Sequence, residues 1–328
     1  MIGQPFPARI DPMLAKAGRL PAGEDGSWGY EIKWDGIRAI AFARDGEIRM
    51  QSRRMEDVTM RYPELAAIGE ALGSRSSVLD GEVVARDEQG RPRFQLVQRR
   101  MGLTSPAAVS SRRRDTPVDF IAFDLLHLDG RDLRPLPYQE RREALAELRF
   151  DGPCWSAPAH RLEGGAELLE AVRGQGLEGV VAKRLDSPYR EGKRSGEWVK
   201  ERVWNRQEFV IGGHIPGEGR RSERVGSLLV GHYDEAGSLN CAGAVGSGLK
   251  EEDIRFLTAE LKRLHRETSP FDGAPPRGPK ARLAVFCEPE LVCEVSWSEW
   301  TTQGTLRQPA FKGMRMGKDP RMIVREQG

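Results

Sequence analysis

A lysine with the neighbours of a nucleophile lies near the start of the chain. Lys33 stands in Glu31-Ile-Lys-Trp-Asp-Gly-Ile-Arg38, between apolar residues, followed at once by an acid and a glycine. A lysine attacks only after its ammonium has lost a proton. From a pKa near 10.4 that takes about 3 units, or roughly 4 kcal/mol of environmental bias. Alone, Lys33 reads as an ordinary strand lysine whose ammonium reaches water. Four further apolar runs carry charge. Glu82 lies in Leu-Asp-Gly-Glu-Val-Val, and Asp124 in Ile-Ala-Phe-Asp-Leu-Leu. Glu178 and Lys183 bracket Gly-Val-Val-Ala, and Lys200 lies in Trp-Val-Lys. A charge in such a run must pair, solvate or do chemistry. Singly, each reads as a strand-end charge. Together, Lys33, Glu82, Glu178, Lys183 and Lys200 alternate acid and base. Two carboxylates can hold Mg²⁺ through a few oxygens and waters. Lysines neutralise phosphates, and Phe123 offers a flat face to a base. This is the inventory of a nucleotidyl-transfer pocket.

The elements that must position these groups follow from periodicity and turn residues. Trp28–Ile32 and Ile37–Phe42 read as strands, with Asp35-Gly36 as the turn between them. A third strand ends at Gln51 and runs into Ser52-Arg-Arg54. Helical spacing covers 63–72, 138–149 and 165–174. Strands are predicted at 77–85, 118–127, 179–183 and 196–202, and residues 1–27 read as a Pro- and Gly-rich segment. Near residue 204 the texture changes to short apolar runs separated by glycines. Then come a helix over 251–265, with Leu257, Leu261 and Leu264 on one face, a Pro/Gly-rich loop at 270–280 and a strand at 290–297. Several short strands and one helix suit a small Greek-key barrel of the oligonucleotide-binding type. The reading is a two-domain α+β chain divided into 1–203 and 204–328.

The 328 residues suffice for two domains, and Lys and Arg nearly balance Asp and Glu, with a net charge of +2. A globally basic nucleic-acid coat protein is excluded, as is a disordered chain. Charge is uneven locally: Arg91, Arg93, Arg99, Arg100, Arg112, Arg113 and Arg114 fall in a stretch with no acid. Such a block is either a solvated face or a phosphate-facing one. Cys154, Cys241, Cys287 and Cys293 form no Cys-x-x-Cys pair, so zinc is not expected and the thiols read as reduced. No apolar run is long enough to span a membrane, and no leader pattern opens the chain. A cytoplasmic protein is expected.

In order along the chain, these segments resemble the motifs of the ATP-dependent DNA ligases in the covalent nucleotidyltransferase superfamily, most closely the bacterial end-joining type. Lys33-Trp-Asp-Gly-Ile-Arg38 matches the nucleophile motif, and Ser52-Arg-Arg, Asp80-Gly-Glu82 and Phe123-Asp124 match the next three. Glu178-Gly-Val-Val-Ala-Lys183 and Trp198-Val-Lys200 match those that follow, and 299–313 resembles the end of the barrel domain. The resemblance implies a nucleotidyltransferase (adenylation) domain of antiparallel sheets with flanking helices, plus a C-terminal OB-fold β-barrel. It implies that Lys33 attacks the α-phosphate of ATP and passes AMP to the 5′-phosphate of a nick, which the 3′-OH then displaces. Glu82 and Glu178 would be the metal (Mg²⁺ or Mn²⁺) and ribose ligands. Arg38 and Arg53 would contact ribose or 5′-phosphate, Phe123 would stack on adenine, and the Glu31 backbone would read the adenine edge. Lys183 and Lys200 would hold phosphates, with Arg202 where relatives often carry a second lysine. No separate DNA-binding domain is read here, so Arg112, Arg113 and Arg114 are expected to grip nicked double-stranded DNA. The resemblance further implies a monomer at the nucleoid, with Ku and an end-joining polymerase as partners.

Two departures stand out. Arg54-Met55 replaces a common Asn-Gly. The last motif, usually Arg-x-Asp-Lys, reads Arg315-Met-Gly-Lys318, so Gly317 stands in place of a carboxylate. This motif orients the leaving pyrophosphate, so slower self-adenylylation with sealing retained is expected. Three other readings compete: an RNA ligase or GTP-using capping enzyme, a non-catalytic nucleic-acid binder on the same fold, and a Schiff-base lysine enzyme.

Overall fold

The structure is a computed structural model that describes residues 5–21, 26–219, 222–272 and 281–326. The expected loop at 270–280 lies, from 273 onward, outside the described residues. The chain forms two compact units, Met1–Val203 and Trp204–Gly328. Its elements are mixed α and β.

The first unit holds two sheets. The larger has Ile37–Arg44 between Glu47–Ser52 and Ser77–Val84, and Asp119–Leu128 beyond Ser77–Val84. The smaller orders Leu14–Ala17, Arg194–Arg202, Gly179–Arg184 and Trp28–Ile32. Strand Ile37–Arg44 explains the layering through its period of two. Ala39 and Ala41 join one buried cluster, which includes Leu65, Ile68 and Leu145 from the helical segments. Ile40 and Phe42 point the other way, into a second cluster that reaches Trp198 of the smaller sheet. A strand buried on both faces sits at the centre of a layered domain. On the far side of the smaller sheet, Leu168 and Val172 of helix Gly165–Gly174 pack on Tyr30, Val180 and Ala182.

Two expectations change here. Trp28–Ile32 and Ile37–Arg44 are not a hairpin, because they belong to different sheets. Residues 33–36 are the crossover between them. The Asp35 carboxylate accepts the Phe94 amide at 2.9 Å. Gly36 is required by close approach: a Cβ there would lie 2.3 Å from the Val83 carbonyl oxygen. The Pro/Gly-rich start is also not wholly loop, since Leu14–Ala17 pairs in parallel with Arg194–Arg202.

In the second unit, Asn205–Pro216 lies between Val225–Tyr233 and Val285–Trp297, and Leu239–Val245 extends the sheet. Ala310–Met314 pairs with Val285–Trp297. Helix Glu251–Arg263 buries Leu257 and Leu261 against Phe209, Val230 and Val295. Among the described residues the strand pairings do not close a barrel. A single parallel bridge, Ser247 to Ala310, links the two edges. In place of a barrel closed along its edges, the sheet stays open, with buried clusters on both of its faces.

Candidate active site

The crossover 33–36 places Lys33 between the two sheets. Its amide donates to the Gly179 carbonyl at 2.8 Å. Its ammonium donates to Glu178 Oε2 at 2.5 Å, with only 17% of the lysine side chain exposed. The other oxygen of Glu178 pairs with Arg202 Nε at 3.0 Å. Glu178 thus stands between two cations, just before the strand whose first carbonyl fixes Lys33.

Lys33 lines a cavity of about 210 Å³ together with Arg38, Arg53, Glu82, Phe123, Lys200 and Arg202. Segments scattered over some 170 residues of sequence therefore converge on one space. Lys200 and Arg202 come from strand Arg194–Arg202, where period two puts Arg194, Trp198, Lys200 and Arg202 on one face. All four line the cavity. Arg194 was missed by the sequence reading, although its spacing from Lys200 was the available signal. Lys200 has its pKa lowered, first by burial and then by Lys33, Arg202 and Arg194, with Glu178 opposing. Cations crowd this wall more than the acids can offset, and a polyanion would relieve the repulsion.

Burial pushes the Glu82 carboxyl up to about 8, against the pull of Lys33 and Arg38 and with the push of Glu178 and Asp80. Among the described residues no group of three or more His, Cys, Asp or Glu side chains is placed to hold a metal ion. A donor set of Glu82 and Glu178 alone suits an ion that takes its remaining ligands from phosphate and water, as Mg²⁺ commonly does.

Several expected roles change when the partners are seen. Lys183 also lines this cavity, but its ammonium is already paired rather than free for phosphates. It is 1% exposed, pairs with Glu31 Oε2 at 2.6 Å and donates to the Phe123 carbonyl at 3.1 Å. Its ammonium lies 4.4 Å from the ring centroids of Phe123 and Trp198. Burial lowers its pKa, while Glu31 and Asp124 hold it up. The Glu31 side chain is turned into the same network: it accepts the Tyr138 hydroxyl and faces Arg142 Nη1 at 3.7 Å. Only the Glu31 backbone is left for a ligand. Arg38 is clamped by Asp80 through Nε and Nη2 at 2.5 and 2.6 Å. Burial opposes its charge, but Asp80 more than offsets this and holds its pKa above the usual range. Asp80 also accepts the Tyr189 hydroxyl at 2.6 Å. The Phe123 ring already carries the Arg38 guanidinium, 4.5 Å from its centroid. Asp124 is fully buried and forks with Arg141 at 2.7 and 2.9 Å, so it is a structural charge. Arg53 is exposed at the cavity mouth.

The arginine block is not one surface. Arg91 and Arg93 pair with Asp87 at 3.1 and 2.9 Å. Arg100 is completely buried, on Glu64 and the carbonyls of Arg61 and Thr116. Arg112, Arg113 and Arg114 do remain exposed, in the last turn of helix Pro106–Asp115. Arg315 and Lys318 lie in the second unit, paired with Glu294 and Glu208. That unit also holds a larger cavity, about 440 Å³, lined by Tyr233, Arg266, Asp272, Glu288 and Arg321. It has no lysine in its wall, and its Arg266 pairs with Glu288 at 3.3 Å. The chemistry therefore belongs to the smaller cavity.

Comparison with known proteins agrees with this geometry. The signature of the "ATP dependent DNA ligase domain" matches residues 12–202, and that of the "ATP dependent DNA ligase C terminal region" matches 221–318. The chain belongs to the ATP-dependent DNA ligase family. Among its ligase relatives, the multifunctional non-homologous end joining DNA repair protein LigD of Mycobacterium tuberculosis is 43% identical over 317 residues. That match covers 97% of this chain and 40% of LigD, so the chain spans well under half of this relative. DNA ligase C1 of Mycolicibacterium smegmatis is 37% identical, covering 96% of this chain and 92% of that ligase. A solved mycobacterial DNA ligase D in complex with ATP and MES is 41% identical, with a TM-score of 0.56 over 97% of this chain and 98% of that one. Among the described residues no helix is long and apolar enough to cross a membrane.

Proposed function

We propose that the chain seals 3′-OH/5′-phosphate nicks in double-stranded DNA through a lysyl–AMP intermediate, as the ligase module of an end-joining system. Residues 1–203 act as the adenylation domain and 204–328 as the OB-type domain. The observation that carries the reading is Lys33, held at 2.5 Å by Glu178 in a cavity shared with Glu82, Lys200 and Arg202. The Lys33 nitrogen bonds to the α-phosphorus of ATP as the bond to pyrophosphate breaks. Glu178 Oε2 is the acceptor within reach of the lysine proton. A 5′-phosphate oxygen of the nick then takes the adenylyl group, the nitrogen–phosphorus bond breaks and Lys33 regains its proton. The 3′-OH finally attacks that 5′-phosphorus, and AMP leaves.

Lys200, Arg202 and Arg53 hold phosphates by charge-assisted contacts. The Glu31 backbone receives the adenine edge, and Lys183 and Arg38, both held at the Phe123 ring, fix the floor beneath it. Glu82 and Glu178 would hold Mg²⁺ or Mn²⁺, which would neutralise charge developing on the phosphates. Arg112, Arg113 and Arg114 contact DNA phosphates without reading sequence. A monomer acting at the nucleoid with Ku and an end-joining polymerase completes the reading. Incubation with α-labelled ATP, Mg²⁺ and nicked DNA tests it. The expected sequence is labelled protein, then labelled AMP–DNA, then sealed product. Absence of any adduct would make the chain a binder instead. Addition of Ku should stimulate joining of broken ends, and no stimulation would remove the end-joining assignment.

A further inference from the structure

The last motif lacks its carboxylate because position 317 is glycine, yet its two cations are not without acids. Glu208 and Glu294 stand directly opposite each other on strands Asn205–Pro216 and Val285–Trp297. Like charges in that position repel and persist only when cations hold them. Arg315 supplies one cation: its Nη2 donates to Glu294 Oε2, and its Nε lies 3.9 Å from Glu208 Oε1. Lys318 supplies another, with Nζ 3.3 Å from Glu208 Oε2. Arg206 approaches Glu294 from the side at 3.9 Å. Gly313 pairs with Glu294 on strand Ala310–Met314, so the motif leaves the sheet beside this acid pair. Gly317 has φ +73°, a left-handed turn that L side chains rarely adopt. Arg315 and Lys318, on either side of that turn, both contact Glu208.

We propose that Glu208 and Glu294 replace in space the carboxylate missing at position 317, and act as positioning residues that hold Arg315 and Lys318 for the leaving pyrophosphate. Glu208 is the joint between the two cations, since it alone of the two acids meets both Arg315 and Lys318. The proposal rests on the reading of the chain as a ligase that forms lysyl–AMP from ATP. It reverses the expectation from sequence that Gly317 slows this step.

The test separates the steps. Enzyme–AMP formation is timed at saturating ATP, and sealing is timed separately on a nick that already carries AMP. In E208Q the first step should slow roughly 10- to 100-fold, the cost of misplacing a group by about 1 Å. The second should stay within about twofold of the unchanged protein. G317D alone should leave the first step within about twofold, because the carboxylate is already supplied. In the E208Q background G317D should recover most of the loss: a Cβ at 317 meets nothing within 4 Å, and aspartate is among the residues that tolerate a left-handed turn. Unchanged adenylylation in E208Q would overturn the proposal. So would a tenfold gain from G317D alone, or an E208Q loss that falls equally on both steps and is not recovered by G317D. Failure of the unchanged protein to form any adduct would instead overturn the ligase reading.

Discussion

Replacing Lys183 probes the structure where it departs most from the motif pattern. The motif resemblance makes Lys183 a phosphate ligand, whereas the structure buries it to 1% exposure on Glu31 at 2.6 Å. Lys183→Met leaves the Glu31 carboxylate buried, with the Tyr138 hydroxyl and with Arg142 at 3.7 Å. Breaking such a pair from one side costs about 3–5 kcal/mol. Glu31→Gln leaves the ammonium with the Phe123 carbonyl and the faces of Phe123, Tyr138 and Trp198. Cation–π contacts of about 0.5–2 kcal/mol each soften the loss, so about 2–3 kcal/mol is expected. The double variant leaves only Arg142 without its acid and should cost less than the sum, giving a coupling of about 2–3 kcal/mol. Urea titration of the full chain, followed by tryptophan fluorescence, measures all three. A coupling below about 0.5 kcal/mol would refute the buried pair. If Lys183→Met also kept full stability while raising the KM for ATP, Lys183 would be a phosphate ligand after all.

Glu82 gives a pH-dependent signature. Its carboxyl titrates near 4.5 in the unfolded chain and at about 8 when folded. The folded state holds the proton more tightly, so this contribution is full below about pH 4.5 and is lost as pH rises to about 8. Glu82→Gln should therefore stabilise more at pH 8 than at pH 5, by up to about 4 kcal/mol, and equal effects in denaturant titrations at both pH values would contradict this. Neutralising Arg112, Arg113 and Arg114 with glutamine should weaken nick binding and lower its salt slope by about 1 for each DNA phosphate that these side chains neutralise; an unchanged slope would remove this helix from the interface. Burial pushes the thiols of Cys287 and Cys293 up to about 12, so iodoacetamide at neutral pH should spare both in the native protein and label them in urea.

What could be read from the sequence depended on how local its cause was. Lys33, Glu82, Glu178 and Lys200 each read alone as an ordinary strand-end charge and became legible only as an ordered series; Lys33, Glu82 and Lys200 line one cavity, and Glu178 pairs with Lys33. Period two along Arg194–Arg202 carried further information that a motif-by-motif reading passed over, namely Arg194. The partners of Lys183 were not legible. The Tyr138 hydroxyl and Glu31 are 107 residues apart in sequence, and only the packing of helix Tyr138–Glu147 brings them together. The Asp35-Gly36 signal was misleading for a physical reason. Its glycine answers to the Val83 carbonyl and its acid to the Phe94 amide, not to a hairpin. The arginine block failed as a unit because Arg100 found Glu64, an acid 36 residues away, and went inside. In the second unit, the short strands and single helix predicted a small barrel, but local sequence could not say whether its edges would pair along their length or at a single bridge.

The proposed mechanism makes Lys33 Nζ the atom that takes AMP. Mass analysis of peptides from protein incubated with ATP and Mg²⁺ tests this most directly. One adenylyl group is expected, on the peptide containing Lys33, released by pyrophosphate and absent in Lys33→Ala. An adduct on Lys183 or Lys200, or one that survives in Lys33→Ala, would contradict it.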